Sequence, residues 1–283
     1  MKTFKQYVED EKDKIPSLLI SQGEHSKEKK EKEIPSMMIS QGEHSREKIK
    51  EEILPASRLS QLEHETNKHI ASDMGEVHAK LHDEQDFNKL KPEHRGAIRD
   101  YTISSLGVNS ELFQANKNKE KPDRSLTTRI RNTDSALKQF KLSKPLNTYS
   151  GVKFDPGREA GDSPDRKIHL PAYTSSSISP KVAHGFSKMS SHPTDPTKRI
   201  SHVLRFNLPE GHHGIYAGQH SEHPHEKEFI IPRDTTVKIG DKPEVYQHPT
   251  NKNEEIHIWD AHPVEKPKAA RKPRQPKQLS MDV

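Results

Sequence analysis

The sequence predicts an α+β fold, in which helices come first and pack on an antiparallel β assembly, with long solvated flanks. Apolar residues recur at helical spacing between about residues 62 and 141. After Pro145 the period becomes two and the segments shorten, as strands do. Only 28% of the 283 residues are hydrophobic while 31% are charged. An ordinary domain is about 45–50% apolar on a count that includes glycine, so one modest domain with solvated ends is expected rather than a core running through the whole chain.

From the N-terminus, Ile15-Pro16-Ser17-Leu18-Leu19-Ile20-Ser21-Gln22-Gly23-Glu24-His25-Ser26 returns 19 residues later as Ile34-Pro35-Ser36-Met37-Met38-Ile39-Ser40-Gln41-Gly42-Glu43-His44-Ser45. A decayed third copy starts at Leu54-Pro55-Ala56-Ser57. Each unit buries too little to stack as a solenoid. The units read as disordered, or as docking segments repeated for avidity. Leu62, Ile70, Met74, Val77 and Leu81 lie along one polar-rich helix. A second helix opens at Pro92, carries Ala97, Ile98, Tyr101 and Leu106 inward, and ends at Gly107. A short capped helix follows over 109–113, and a third spans 124–141 with Leu126, Ile130, Leu137 and Phe140 inward. Strands are expected at 147–153, 169–177, 202–208, 214–217, 228–231, 235–239 and 255–259. In 202–208, Leu204, Phe206 and Leu208 alternate with Val203, Arg205 and Asn207, the pattern of a strand covered on one face. The expected division is a repeat-bearing, largely disordered region over 1–60, a helical linker over 61–84, a folded domain over 85–262 and a basic disordered tail over 263–283.

Several function classes drop out. The absence of cysteine removes disulfide staples, thiolate-bound zinc and thiol catalysis. No apolar run approaches the ~18–20 residues of a membrane-spanning helix, and residues 1–14 lack a secretory apolar stretch. A soluble, intracellular-type protein is expected. The net charge of +5 is small beside the many charges of both signs, so nucleic acid does not follow from it. The Lys- and Arg-rich tail over 266–277 would make only a weak, sequence-indifferent phosphate contact, and reads equally as a solvated tail. Nineteen histidines include His212, His213, His220, His223 and His225 near one loop, but nothing in their spacing matches a metal motif, and no metal is expected.

Three segments carry chemistry. In Glu226-Lys227-Glu228-Phe229-Ile230-Ile231, an extended backbone puts Glu226 and Glu228 on one face. Two like charges there raise one pKa, which suits cation stabilisation or proton acceptance; the other reading is an inert charged strand end. Thr174-Ser175-Ser176-Ser177 offers adjacent hydroxyls that can hold a carboxylate, although such residues are also ordinary in turns. No Gly-Xaa-Ser-Xaa-Gly elbow surrounds them, which argues against a serine hydrolase. The earlier segment is Asn147-Thr148-Tyr149-Ser150-Gly151, a strand ending near glycine.

Tyr149-Ser150-Gly151, Ser175-Ser176-Ser177 and Glu226-Lys227-Glu228, in this order, resemble the motifs of mono-ADP-ribosyltransferases of the bacterial exotoxin type, whose members include phage-encoded enzymes. Their pattern is aromatic-Arg-Gly, Ser-Thr-Ser and Glu-Xaa-Glu, and the resemblance covers about 90–245. It implies helices on a β-sandwich and NAD as co-substrate, bound in a cleft between two sheets. It also implies transfer of ADP-ribose to a host protein, on arginine, with release of nicotinamide. By the same resemblance Glu228 is the catalytic glutamate, Glu226 orients or deprotonates the acceptor, and Ser175 hydrogen-bonds Glu228. Tyr149, Ser150, Gly151 and Ser177 then border NAD, and Phe186 either stacks on nicotinamide or packs in the core beside Val182. Ser150 stands where the family has arginine, with Arg99, Arg158 or Lys188 as substitute cations. That departure motivates a second reading, a catalytically decayed virion or scaffold interaction protein docking through the repeats. Residues 1–10 resemble the leader of internal head proteins of T4-like phages. That likeness implies a capsid contact, packaging in the virion and action in the host cytoplasm.

Overall fold

A computed structural model describes residues 52–264. The expectations for the first two repeats, the leader-like residues 1–10 and the basic tail at 266–277 lie outside the described residues. Those residues form one compact unit from Glu52 onward. It begins with the two-residue strand β1 (Ile53–Leu54) and helix α1 (Ala56–Glu65), so residues 52–60, expected to be disordered, are part of the fold.

The single helix expected across 62–81 is two helices, α1 and α2 (Met74–Glu84). The break is held by Asn67, whose side chain donates to the carbonyl of Asn147 at 3.1 Å and accepts from its N–H at 3.0 Å. Asp73 then caps α2 by accepting the Glu76 N–H at 2.9 Å, while Glu76 reaches back to the N–H of Ser72. Residues 61–84 are therefore not a linker. Leu59 packs with Tyr149 and Val203, and Ile70, Met74, Val77 and Leu81 share a core with Phe206, Tyr216 and Phe229.

Helices α3 (Pro92–Ile103), α4 (Leu106–Asn118) and α5 (Arg124–Leu137) make the helical lead-in. Gly107 does not end α3. The backbone of Ser104 is already extended, and Gly107 sits in the first turn of α4, which also absorbs the short helix expected at 109–113. Ile98, Tyr101, Val108, Leu112, Ile130 and Leu137 form a second core against Tyr173, Ile215 and Ile230 of the β region.

The architecture is α+β, as expected. Its strands are β2 (Leu146–Val152), β3 (Lys167–Leu170), β4 (Thr174–Ser177), β5 (Ser190–Ser191), β6 (Arg199–Leu208), β7 (Ile215–Tyr216), β8 (Glu228–Ile231), β9 (Thr235–Ile239), β10 (Glu244–Gln247) and β11 (Glu254–Pro263). The hydrogen-bonded order is β1-β10-β11-β6-β2-β4-β8-β7, with β9 joining β11 to β3 and β5 on β6. Ile168, Val237 and Ile239 of the β3–β9 arm share one core with Leu204, Phe206 and Phe229, so the ladder packs on itself as a sandwich does. It is not wholly antiparallel, since β6 runs parallel to β11 and β1 to β10. Lying between β2 and β11, β6 is buried on both faces: Leu204 and Phe206 enter one core and Val203 another. The strand expected over 169–177 is broken at Pro171, which has no N–H to give a ladder; β3 goes to β9 and β4 to β8. Two short helices complete the described unit, α6 (Pro156–Ala160) and α7 (Pro180–His184). Among the described residues no helix is long and apolar enough to cross a membrane.

Candidate active site

Strand register brings the three motifs together. Tyr149 of β2 stands opposite Ser177 of β4, and Ser177 stands opposite Glu228 of β8. Directly paired residues share a face, and Ser175, two residues from Ser177, shares it too. Glu228 opens β8 and is 6% exposed. Burial pushes its carboxyl up to about 7; the negative charge of Glu226 adds to that rise, and a hydrogen bond from Ser175 opposes it.

That bond is the end of a relay. Asn109 Nδ2 donates to Tyr101 Oη at 3.1 Å, and Tyr101 Oη lies 3.2 Å from Ser175 Oγ. With the Ser175 proton directed at Glu228, Tyr101 donates to Ser175 in turn. Each donor then polarises the next toward the carboxylate. Tyr101 is buried, and burial together with the charge of Glu228 raises its phenol well above the ordinary value. From the sequence, Tyr101 reads as an inward helix residue and Asn109 as the start of a capped short helix, neither as part of the site. Their eight-residue spacing across two helices is the only local trace of the relay.

Glu226 is close enough to act on Glu228, but not by the expected route. It ends a 3-10 turn, Pro224–Glu226, and Lys227 follows with φ 49° and ψ 47°. The chain is therefore turned left-handed between the two glutamates instead of extended. Glu226 is partly buried, and burial raises its carboxyl against the opposing pull of His223 and His225. Ser177 fixes this turn, donating its hydroxyl to the Glu226 carbonyl at 2.7 Å and accepting the N–H of Ser179 at 3.0 Å. Ser176 faces the other way and bonds the Phe229 carbonyl at 2.7 Å.

The first motif is largely buried beside the site. Tyr149 has no exposed surface, and its hydroxyl meets Thr66 Oγ1 at 2.7 Å. Ser150 points to the opposite face and donates to the Ser175 carbonyl at 2.8 Å. Gly151 lets α7 and the turn after it approach: a Cβ there would stand 2.3 Å from the Ala183 carbonyl oxygen and 2.5 Å from the Ser187 nitrogen. Phe186, in that turn, is 46% exposed, which removes the core-packing alternative. Of the three substitute cations, Arg99 pairs with Glu222 at 2.6 Å, while Arg158 lies in α6 and Lys188 on the exposed stretch beyond Phe186.

A separate group, His184, His248 and Glu254, brings its ligand atoms within 4.8 Å of one another. His248 Nδ1 accepts the N–H groups of Thr250 and Asn251 at 3.2 and 3.0 Å, so the ring proton sits on Nε2, the nitrogen 3.9 Å from Glu254. A donor faces the carboxylate where a metal would need a lone pair. The group is an acid–imidazole cluster.

A buried carboxylate that accepts a serine hydrogen bond, on a β assembly flanked by helices, is chemically suited to stabilising a developing positive charge. Residues 80–262 match the model of the ADP-ribosyltransferase exoenzyme family, and the chain belongs to that family. It is 30% identical over 157 residues to the NAD(+)–arginine ADP-ribosyltransferase EFV of Enterococcus faecalis, a match covering 54% of this chain and 30% of the relative's length. The fold is similar to the C3 exoenzyme of Clostridium limosum (TM-score 0.50, 16% identity, 67% of this chain and 94% of the other). It is also similar to the enzymatic component C2-I of the Clostridium botulinum C2 toxin (TM-score 0.50, 20% identity, 66% and 47%).

Proposed function

We propose that this chain transfers a single ADP-ribose from NAD to an arginine of a protein acceptor. The observation that carries the proposal is the buried Glu228, held by Ser175 at the end of the Asn109–Tyr101 relay. Ionised Glu228 holds the 2′-hydroxyl of the nicotinamide ribose and stabilises the oxocarbenium-like state as the C1′–N bond breaks and nicotinamide leaves with the bonding pair. The acceptor guanidinium loses a proton to Glu226 and forms the new bond to C1′. NAD supplies the glycosidic bond; the chain supplies orientation, charge and a base. Phe186, exposed at the turn beyond α7, is the ring available to the nicotinamide. The arginine-specific name of the Enterococcus faecalis relative supports the choice of acceptor, as does Glu226 two residues before Glu228.

β2 carries no lysine or arginine to serve the dinucleotide, and Ser150 spends its hydroxyl on the Ser175 carbonyl. NAD is then held chiefly by the ribose contact and the nicotinamide wall, and weak NAD affinity is the expected consequence. The test uses NAD labelled in the adenosine half, with a cell lysate and a polyarginine acceptor. Label is expected on protein and absent with Glu228→Ala. Loss of protein label but retained nicotinamide release is expected for Glu226→Ala. Equal labelling by the wild type and Glu228→Ala overturns the proposal.

A further inference from the structure

The family match begins at residue 80, yet a helix before it touches the catalytic turn. Glu63, on α1, places Oε1 3.8 Å from Nζ of Lys227, the residue between the two glutamates. Neither partner is freely solvated: the side chains are 22% and 33% exposed. The helix bearing Glu63 is itself fixed one turn later, where Thr66 meets Tyr149 and Asn67 brackets the backbone of Asn147. Thr66 caps α1 and Asn67 follows it directly, so the carboxylate is anchored to the same strand that stands beside Ser177. Lys227 needs such an anchor. A lysine at φ 49° occupies backbone space that side-chain-bearing residues avoid, and such conformations persist where surroundings over-determine them. The direction of the side chain is marked by a second neighbour: burial, then the charge of Lys227, hold the His78 imidazole below its ordinary value. The ammonium thus lies on the side of α1 and α2.

We propose that Glu63 is a positioning residue for the Glu226–Lys227–Glu228 turn, and that α1, which precedes the family-matched residues 80–262, is its clamp. Glu63 holds Lys227 away from the two carboxylates and keeps the left-handed turn closed, so that Glu226 and Glu228 keep their separation. With Glu63 neutral, the ammonium is released to pair with Glu226 or Glu228 and to quench the charge that the reaction uses. The proposal rests on the transferase reading for its kinetic consequence but not for its structural one.

The experiment compares Glu63→Gln, Glu63→Asp, Lys227→Gln and the Glu63→Gln/Lys227→Gln double variant in the full chain. Amide hydrogen exchange reads the turn directly, at the N–H groups of Glu226, Lys227 and Ile178, which bond His223, Pro224 and Lys227 carbonyls. Exchange at these three is expected to rise at least several-fold in Glu63→Gln and to return toward wild type in Glu63→Asp. In the Lys227→Gln background, Glu63→Gln is expected to add nothing. In turnover, Glu63→Gln is expected to lower kcat three- to tenfold with the KM for NAD unchanged. Unaltered exchange at the three amides, or an effect of Glu63→Gln that persists without Lys227, overturns the clamp whether or not the wild type consumes NAD. A wild type that does not consume NAD, with the exchange pattern as expected, overturns the transferase reading and leaves the clamp standing.

Discussion

At the scale of single residues, the role proposed for Glu228 ties its protonation to both chemistry and stability. Its carboxyl is pushed up to about 7, first by burial. A carboxylate that stabilises a cation must be ionised, so nicotinamide release is expected to climb as pH rises through about 7 and then level off. Ser175→Ala removes the hydrogen bond that favours the ionised form. The midpoint should move upward and the plateau fall by roughly tenfold or more, the worth of one hydrogen bond to a charge. A profile flat between pH 6 and 8 would contradict the assignment. The same shift sets the sign of a stability effect. The folded value lies above the unfolded one, so the contribution is fully present below about 4.5 and is lost as pH rises through about 7. Glu228→Gln should therefore melt higher than wild type at pH 8, by up to about 3 kcal/mol, with most of the gain gone at pH 5. Thermal melts at the two pH values check it. Glu228 and Ser175 were legible as candidates because the Glu-Xaa-Glu and hydroxyl runs stand in the sequence itself. Tyr101 and Asn109 were not, because a helical tyrosine at core spacing has the same signature whether or not its hydroxyl is used.

At the scale of elements, local conformation decides what a motif means. The extended-chain argument for Glu226 and Glu228 assumed one strand, whereas a 3-10 turn and a left-handed lysine stand between them. Pro224 was the one visible hint, since its fixed φ suits the start of such a turn. Likewise Pro171 divides β3 from β4, and Asn67 divides α1 from α2 through bonds to a strand 80 residues away that no window of sequence contains. Gly151 gives a direct test of how elements build the site. Its missing Cβ admits α7 and the turn bearing Phe186. Gly151→Ala would drive a methyl into the Ala183 carbonyl and the Ser187 nitrogen, neither of which is a flexible side-chain tip. The expected cost is about 1–3 kcal/mol of stability, typical of overpacking. Because the displaced turn carries Phe186, NAD turnover should fall more than the melting point suggests. Full activity in Gly151→Ala would mean that α7 can retreat without disturbing the site.

At the scale of the whole molecule, the domain does not end where the family resemblance ends. The expected order of helices before strands, and the α+β class, follow from apolar periodicity, which survives in a chain this polar because the buried faces keep it. What periodicity could not give is the destination of a weakly apolar segment. Residues 61–84 carry few apolar side chains, so they read as a linker, yet Ile70, Met74, Val77 and Leu81 are all buried. Each such side chain contributes about 1.5–3 kcal/mol on burial, and four of them together approach the roughly 5–15 kcal/mol that holds a typical domain folded. Removing residues 61–84 would also uncover Phe206, Tyr216 and Phe229 on one face of the sheet and Tyr149 on the other. Two fragments separate the alternatives. One spanning 52–264 keeps every residue of the site and both helices, and should unfold cooperatively with the NAD turnover of the full chain. One spanning 80–262, the extent of the family match, begins inside α2 and lacks α1 and β1. It should lose cooperative unfolding or melt at least 15 °C lower, since 1 kcal/mol moves the midpoint of a domain this size by about 2–4 °C. If the shorter fragment melts with the longer one, the packing of α1 and α2 contributes nothing to stability, and the segment is a linker after all.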